Sequence, residues 1–179
     1  MQQIYKHIIL VGFSTGGLLS LVAASRREKG LLGVVSINSP LALNSMQIRT
    51  LVPAVHFWNE MLDYFNTHTG QIESSMDEPY NPAINYNVVY VRSLNELNNL
   101  MIEVETILSE VNLPLLILQA DNDSVVNPSS AELIYMKANS QDKTKKMFHS
   151  DEHDIAKVEV LTEVLKEIKQ FIAKLSYSS

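Results

Sequence analysis

The chain of 179 residues is long enough to bury a hydrophobic core as one domain, and 46% of its residues are hydrophobic. Its formal net charge of −6 argues against binding to nucleic acid or to anionic membrane surfaces. It contains no cysteine, which is typical of a reducing cytoplasm, and no apolar run reaches the roughly 20 residues of a transmembrane helix. We therefore expect a cytoplasmic, globular protein without a transmembrane segment.

Residues 7–21 change their hydrophobic period in the middle. The first five form a short apolar run typical of a buried strand, and the leucine-rich second half suits a helix packed closely on that strand. Between the two halves lies Gly12-Phe13-Ser14-Thr15-Gly16-Gly17, which matches Gly-x-Ser-x-Gly. This motif places a serine on a strained turn, and Gly12 and Gly16 are expected to let the backbones pass without a Cβ clash. Because the helix N-terminus also directs free N–H groups at developing negative charge, we interpret Ser14 as a nucleophile.

A βαβ unit is predicted from the next two elements. The first helix is expected to run to about Lys29 and to end at Gly30. Leu31–Ile37 is a second apolar run of the buried-strand type, and it ends at Asn38-Ser39-Pro40. A strand, a helix and a strand within about 30 residues predict a right-handed crossover and a parallel sheet.

The pattern changes over residues 41–111. Helices are expected near 52–66 and near 93–111, and a polar, turn-rich stretch separates them. Aromatic and methionine side chains concentrate in this region, which suits either a mobile cap with an apolar acyl pocket or an ordinary helical insertion packed on the sheet. We predict a single domain over residues 1–179, with 41–111 inserted as a helical cap.

Two further strands, of which the first is a buried apolar run, have polar loops at their carboxyl ends. Residues 114–119 precede Ala120-Asp121-Asn122-Asp123-Ser124-Val125-Val126-Asn127-Pro128, and residues 143–148 precede His149-Ser150-Asp151-Glu152-His153-Asp154. Loops at the carboxyl ends of parallel strands build the site of an α/β sheet. A helix capped by Ser129 or Ser130 is expected between these strands. A terminal helix is expected over residues 155–175, where one apolar stripe includes Leu165 and Ile172.

Serine, acid and histidine each follow a separate strand, in the chain order of the α/β-hydrolases. The turn at Ser14, the Asp-x-x-Val-x-Pro run that begins at Asp123, and the loop that contains His153 all resemble the motifs of that family. The branch that the chain resembles is that of the small bacterial carboxylesterases and monoacylglycerol lipases with a helical cap. The resemblance implies an α/β fold with a mostly parallel sheet and flanking helices, a small-molecule ester substrate, and no cofactor or metal.

The residue types suggest a role for each group within that resemblance. Ser14 attacks the ester carbonyl, but a free hydroxyl is a weak nucleophile and needs an adjacent base. His153 takes its proton and returns it to the leaving alcohol, while Asp123 fixes the imidazole tautomer and stabilises the cation that forms. Thr15 offers its backbone N–H as one oxyanion donor. We therefore expect a serine carboxylester hydrolase that works through an acyl-enzyme.

Neighbouring residues compete for two of these roles. Asp121 shares its loop with Asp123, but the spacing of the family motif selects Asp123 and leaves Asp121 to bond local backbone N–H groups. His153 precedes the terminal helix, as the family pattern requires, whereas His149 still continues its strand. A zinc site on the two histidines and the acidic residues between them would need both histidines on one helical face, and the polar loop argues against it.

The chain departs from the family pattern at its start. Six residues precede His7, where the family has several strands and two helices, so we expect the N-terminal part of the fold to be missing. That part would carry the neighbouring strand and the loop that donates the second oxyanion N–H. The strand before Ser14 is then an apolar edge, open to a second copy of the chain or to the missing segment. The alternative function is a catalytically silent or impaired hydrolase-like fragment that binds a partner along this edge.

Overall fold

The computed structural model describes residues 7–27, 29–43, 71–73, 88–151, 153 and 158–176. The elements in these ranges are β1 (Ile8–Phe13), α1 (Thr15–Ser25), β2 (Leu31–Ile37), β3 (Gln71–Glu73), β4 (Val88–Tyr90), α2 (Val91–Ile107), a 3₁₀-helix (Leu108–Glu110), β5 (Leu115–Ala120), α3 (Ser129–Lys137), β6 (Lys143–Phe148) and α4 (Val158–Ser176). The chain divides into two compact units, one of residues 1–44 and 101–179 and one of residues 45–100.

The larger unit is built on a four-stranded sheet in the order β1-β2-β5-β6, and every neighbouring pair in it is parallel. Helices α1, α3 and α4 pack against its strands. The predicted mostly parallel sheet with flanking helices is therefore confirmed. Because all four strands run in one direction, the loops that follow them emerge at the same edge of the sheet.

The core lies on both faces of the two central strands. Each residue of β5 is buried, as are six of the seven residues of β2. Helix α4 covers one face in a cluster of apolar side chains: Val35, Ile37, Leu116, Leu118, Phe148, Val164, Phe171 and Leu175. Strand residues that alternate with these, such as Val34 and Ile117, are equally buried and by the period of a strand point to the other face. Burial on both faces explains why these strands read as continuous apolar runs.

The smaller unit contains, among its described residues, an antiparallel pair of short strands. Ile72 of β3 is opposite Val89 of β4, and α2 begins directly after β4. The helix expected near residues 93–111 is present as α2 and the 3₁₀-helix. The helix expected near residues 52–66 lies outside the described residues. The single domain with a helical cap over 41–111 stays a prediction.

The two edges of the sheet differ in chemistry. Strand β6 carries Lys143, Lys145 and Lys146, and charged side chains of this kind discourage pairing with another chain. At the other edge, Val11 and Phe13 of β1 are 50% and 39% exposed. Pairing of β1 with a second copy of the chain or with a further segment stays a prediction. None of the helices in the described part of the chain has both the length and the apolar content needed to cross a bilayer.

Three local expectations are wrong. Helix α1 ends at Ser25, because Arg27 adopts a left-handed conformation (φ 52°), and Gly30 (φ 86°) lies in the turn into β2. Neither serine caps α3, because the helix begins at Ser129 after Pro128 without a side-chain cap hydrogen bond. The hydroxyl of Ser130 instead accepts hydrogen bonds from the backbone N–H groups of residues 41 and 42. On α4, Leu165 and Ile172 of the predicted apolar stripe are 42% and 38% exposed. The helix packs on the sheet through a neighbouring row of side chains, which includes Val164, Phe171 and Leu175.

Candidate active site

Ser14 occupies a strained turn between β1 and α1. Its φ of 53° and ψ of −125° lie outside the ordinary regions for a residue with a side chain. Such conformations cost about 1–3 kcal/mol and persist where surrounding contacts hold them. Here the N–H of Ser14 donates to the carbonyl of Ile37 (2.8 Å), and its carbonyl accepts from the N–H of Gly17 (2.9 Å). The turn presents a half-buried serine hydroxyl at the carboxyl edge of the sheet.

Close backbone contacts around the turn depend on Gly12 and Gly17. A Cβ atom on Gly12 would lie 2.2 Å from the carbonyl oxygen of Gly16 and 2.5 Å from Oγ of Ser20. A Cβ atom on Gly17 would lie 1.8 Å from Oγ of Ser39. The expectation for Gly16 is wrong, because a Cβ there would meet no atom within 4 Å. It is the carbonyl of Gly16 that approaches Gly12, and the second required glycine is the next one along the chain.

We expect Gly12→Ala to lower the free energy of unfolding, since overpacking of this kind typically costs about 1–3 kcal/mol. The clash is with a backbone carbonyl, which cannot rotate away as a flexible side chain could. Gly16→Ala is the matched control, and its effect should stay within about 1 kcal/mol because its Cβ enters open space and alanine favours the helix. Urea denaturation of both variants measures the difference, and equal losses of stability would contradict this account of the turn.

Asp123 and His153 meet the serine hydroxyl at the same edge of the sheet. Oδ2 of Asp123 lies 2.8 Å from Nδ1 of His153, and Nε2 of His153 lies 3.0 Å from Oγ of Ser14. The Asp123 side chain is fully buried and that of His153 is 20% exposed. The second carboxylate oxygen, Oδ1, accepts the N–H groups of Val125 (2.8 Å) and Val126 (2.9 Å).

This arrangement determines which nitrogen of His153 carries the proton. An ionised carboxylate can only accept hydrogen bonds, so Nδ1 of His153 must donate to Asp123. In the neutral imidazole, Nε2 is then left with its lone pair directed at Oγ of Ser14. The geometry can therefore remove the proton of a serine hydroxyl.

Two opposing effects act on the acid. Burial raises the pKa of Asp123, whereas the hydrogen bonds from His153, Val126 and Val125 lower it. The hydrogen bonds outweigh burial, and the net pKa lies below the ordinary value of an aspartate. The carboxylate is therefore ionised at neutral pH, as its role as an acceptor from the imidazole requires.

The lowered pKa of Asp123 predicts a pH dependence of stability. A carboxyl group whose pKa is lower in the folded state contributes stability above its unfolded pKa, near 3.9, and that contribution is lost as the pH falls towards the folded value. Asp123→Asn removes the titrating group. We expect the unfolding free energy of wild type to fall relative to that of Asp123→Asn as the pH is lowered below about 4. Denaturant titrations at each pH measure it, and a difference that does not change with pH would contradict the assignment.

Asp121 and His149 form a second pair on the surface. Oδ2 of Asp121 lies 3.1 Å from Nδ1 of His149, whose side chain is 97% exposed. The hydrogen bond with His149 is the main cause that lowers the pKa of Asp121, and the N–H of Ser150 adds to it. Asp121 was expected to bond local backbone N–H groups, but the N–H of Ser150 belongs to the histidine loop, 29 residues further along the chain. Each of the two histidines bonds its own aspartate.

Two neighbours of Ser14 complete the site. Thr15 is the first residue of α1, where backbone N–H groups have no acceptor within the helix, and its role as an oxyanion donor stays a prediction. The ring of Phe13 lies 5.0 Å from that of His153, with the planes tilted by 37°. No role for Phe13 follows from the sequence pattern alone. Its position next to the serine in the motif was the available signal, but only the fold shows that it contacts the imidazole.

A parallel sheet, a serine on a strand-to-helix turn, and acid and histidine loops after the last two strands define an α/β-hydrolase. Residues 1–159 match the family model described as Serine aminopeptidase, S33. The chain belongs to this family.

Named relatives agree with that assignment. The chain is 32% identical over 178 residues to the monoglyceride lipase of Rattus norvegicus, with 93% of this chain and 58% of the relative covered. It is 23% identical to a carboxylesterase of Bacillus subtilis, with 97% and 66% covered. The crystal structure of a monoacylglycerol lipase of Paleococcus ferrophilus has the same fold, with a TM-score of 0.78, 17% identity, and 97% and 71% covered. The chain thus spans about three fifths of the length of the mammalian monoglyceride lipases it matches.

Proposed function

We propose that the protein is a serine carboxylester hydrolase that works through an acyl-enzyme, with Ser14 as nucleophile, His153 as general base and acid, and Asp123 as the orienting acid. The supporting observation is the continuous hydrogen-bonded series from Asp123 through His153 to Ser14, with separations of 2.8 and 3.0 Å. Distances of this size are what proton transfer between a nucleophile and its base requires.

In the first half of the reaction, Oγ of Ser14 attacks the ester carbonyl carbon as its proton passes to Nε2 of His153. Asp123 stabilises the imidazolium, and the N–H of Thr15 donates to the oxyanion of the tetrahedral intermediate. The carbon–oxygen bond to the alcohol then breaks, and the alcohol leaves with the proton held by His153. In the second half, water attacks the acyl carbon as His153 takes its proton. The bond from that carbon to Oγ of Ser14 then breaks, and His153 returns the proton to Oγ as the carboxylic acid departs.

The oxyanion donors set the expected rate. Thr15 supplies one N–H at the N-terminus of α1, where the helix dipole adds to the stabilisation of negative charge. Loss of one donor from such a site reduces kcat by about 10²–10³. The N–H of Thr15 should therefore account for a contribution of this size to the rate.

The relatives guide the choice of substrate. Enzymes named monoglyceride lipase, carboxylesterase and thermostable monoacylglycerol lipase match 80–97% of the chain, so we propose small carboxylic esters, with monoacylglycerols the first to test. The family description names an aminopeptidase, which makes an amide the necessary comparison. The absence of cysteine suits the cytoplasm, and we keep that location as a proposal.

A fluorophosphonate probe tests the proposal directly, because it forms a covalent bond with an activated serine. We expect it to label the wild-type chain, and we expect hydrolysis of p-nitrophenyl butyrate and of a monoacylglycerol to exceed that of an amino-acid p-nitroanilide. A folded wild type that neither takes up the probe nor hydrolyses an ester would contradict the proposal. That result would favour the alternative, a catalytically silent hydrolase-like fragment that binds a partner. Faster cleavage of the anilide would indicate that the substrate is an amide and not an ester.

A further inference from the structure

Asn38 is a buried polar residue with no role in the proposed reaction. It follows β2 at the carboxyl edge of the sheet, and its residue is 1% exposed. Its φ of 45° is left-handed, a conformation that asparagine adopts more readily than most residues. Its own N–H donates to the carbonyl of Leu118 in β5 (2.9 Å), which ties its backbone to the central strand.

The side-chain amide of Asn38 joins two parts of the site. Its Oδ1 accepts the backbone N–H of Ala120, the last residue of β5, at 2.9 Å. Its Nδ2 donates to the backbone carbonyl of His153 at 2.8 Å. An N–H can only donate and a carbonyl can only accept, so the two partners fix the orientation of the amide.

We infer that Asn38 is a positioning residue that holds the backbone of His153 against the strand carrying the acid loop. Asp123 lies three residues beyond Ala120, so one buried amide sets the distance between the start of the acid loop and the histidine. This inference rests on the proposed function, because it concerns the geometry of the same three catalytic groups.

The effect of losing this bridge follows from the distances in the site. His153 must keep Nδ1 at 2.8 Å from Asp123 and Nε2 at 3.0 Å from Ser14 at the same time. A misplacement of about 1 Å in an active site can reduce the rate about 100-fold. Phe13 contacts one side of the ring but cannot replace a hydrogen bond to the backbone of the loop.

Two substitutions separate a positioning role from a structural one. As an ionised carboxylate, Asn38→Asp keeps an oxygen that can accept from Ala120 but cannot donate to His153, and it places negative charge near a carbonyl oxygen. Asn38→Leu is close in size and loses both bonds. If the amide only supports the fold through Ala120, Asn38→Asp should retain the activity that Asn38→Leu loses. If it positions His153, both variants should lower kcat of ester hydrolysis about 100-fold with KM changed less than about threefold.

Ser140→Ala is the matched control. Ser140 is 3% exposed, and its hydroxyl donates to the carbonyl of Asp142. Asp142 directly precedes β6, so this bond lies at the amino end of that strand, whereas the triad lies at the carboxyl ends. We expect it to lower the melting temperature without changing kcat at a temperature where all variants are folded. A loss of kcat in Ser140→Ala equal to that in Asn38→Leu would overturn the inference.

A readout without turnover keeps this inference distinct from the proposed function. In wild type, Nδ1–H of His153 bonded to Asp123 should give a low-field proton resonance at neutral pH, identified by its absence from His153→Gln. We expect the resonance to be lost or broadened in folded Asn38→Leu, even if wild type proves inactive. Its persistence in that variant, or its absence from wild type, would overturn the inference.

Discussion

Ser14→Ala is expected to abolish labelling by a fluorophosphonate probe and to reduce ester hydrolysis to background. In a serine hydrolase, loss of the nucleophile lowers kcat by a factor on the order of 10⁶. The substitution removes one oxygen atom, and the bonds that hold the turn use backbone groups of Ser14 and Gly17, so the fold should be retained. Gel-based probe labelling and p-nitrophenyl butyrate hydrolysis measure the loss.

Ser129→Ala is the control for this experiment. Ser129 is exposed at the start of α3. Its substitution also removes one hydroxyl oxygen, but at a position outside the triad. Wild-type labelling of Ser129→Ala is expected. Labelling of Ser14→Ala at the wild-type rate would exclude Ser14 as the nucleophile, and with it the proposed mechanism.

The second large effect is expected from paired substitutions in the acid and histidine loops. The site holds two Asp–His pairs of similar geometry, at 2.8 Å for Asp123 with His153 and 3.1 Å for Asp121 with His149. Asp123→Asn should reduce kcat about 10⁴-fold, because an asparagine favours the wrong imidazole tautomer. Asp121→Asn should change kcat less than about threefold, since exposed pairs contribute little.

The histidines extend the comparison. His153→Gln should remove the base and reduce kcat as much as Ser14→Ala does, whereas His149→Gln should not. The double variant Ser14→Ala with His153→Gln should lose no more activity than either single one, because the residues act as a unit. Steady-state kinetics of the variants tests this, and equal losses from the two Asp–His pairs would show that the inner pair has no special role.

Much of the architecture could be predicted from residue patterns. Strands Leu31–Ile37 and Lys143–Phe148 have the expected bounds, because polar or proline-containing segments interrupt the chain at their ends. The order of serine, acid and histidine along the chain predicted which loops would meet, and the structure brings Ser14, Asp123 and His153 into hydrogen-bond contact. Parallel strands explain this success, because their carboxyl ends share one edge.

The remaining features depend on contacts between distant residues. Ser130 has the sequence pattern of a cap, but its hydroxyl is used by the backbone of residues 41 and 42. The motif points to Gly16, and only the placement of Ser39 shows that Gly17 is the second glycine whose Cβ would clash. The bridge from Asn38 to His153 joins residues 115 positions apart, and no local pattern indicates it.

The separation of Ser14 and His153 by 139 residues has a consequence for biosynthesis. During translation the hydroxyl leaves the ribosome well before the imidazole, and contacts so far apart in sequence form late in folding. Reactivity towards an ester should therefore appear only after the C-terminal half has folded onto the sheet. Probe labelling of nascent chains stalled at increasing lengths would then show both when this unit is completely folded and when Ser14 becomes reactive.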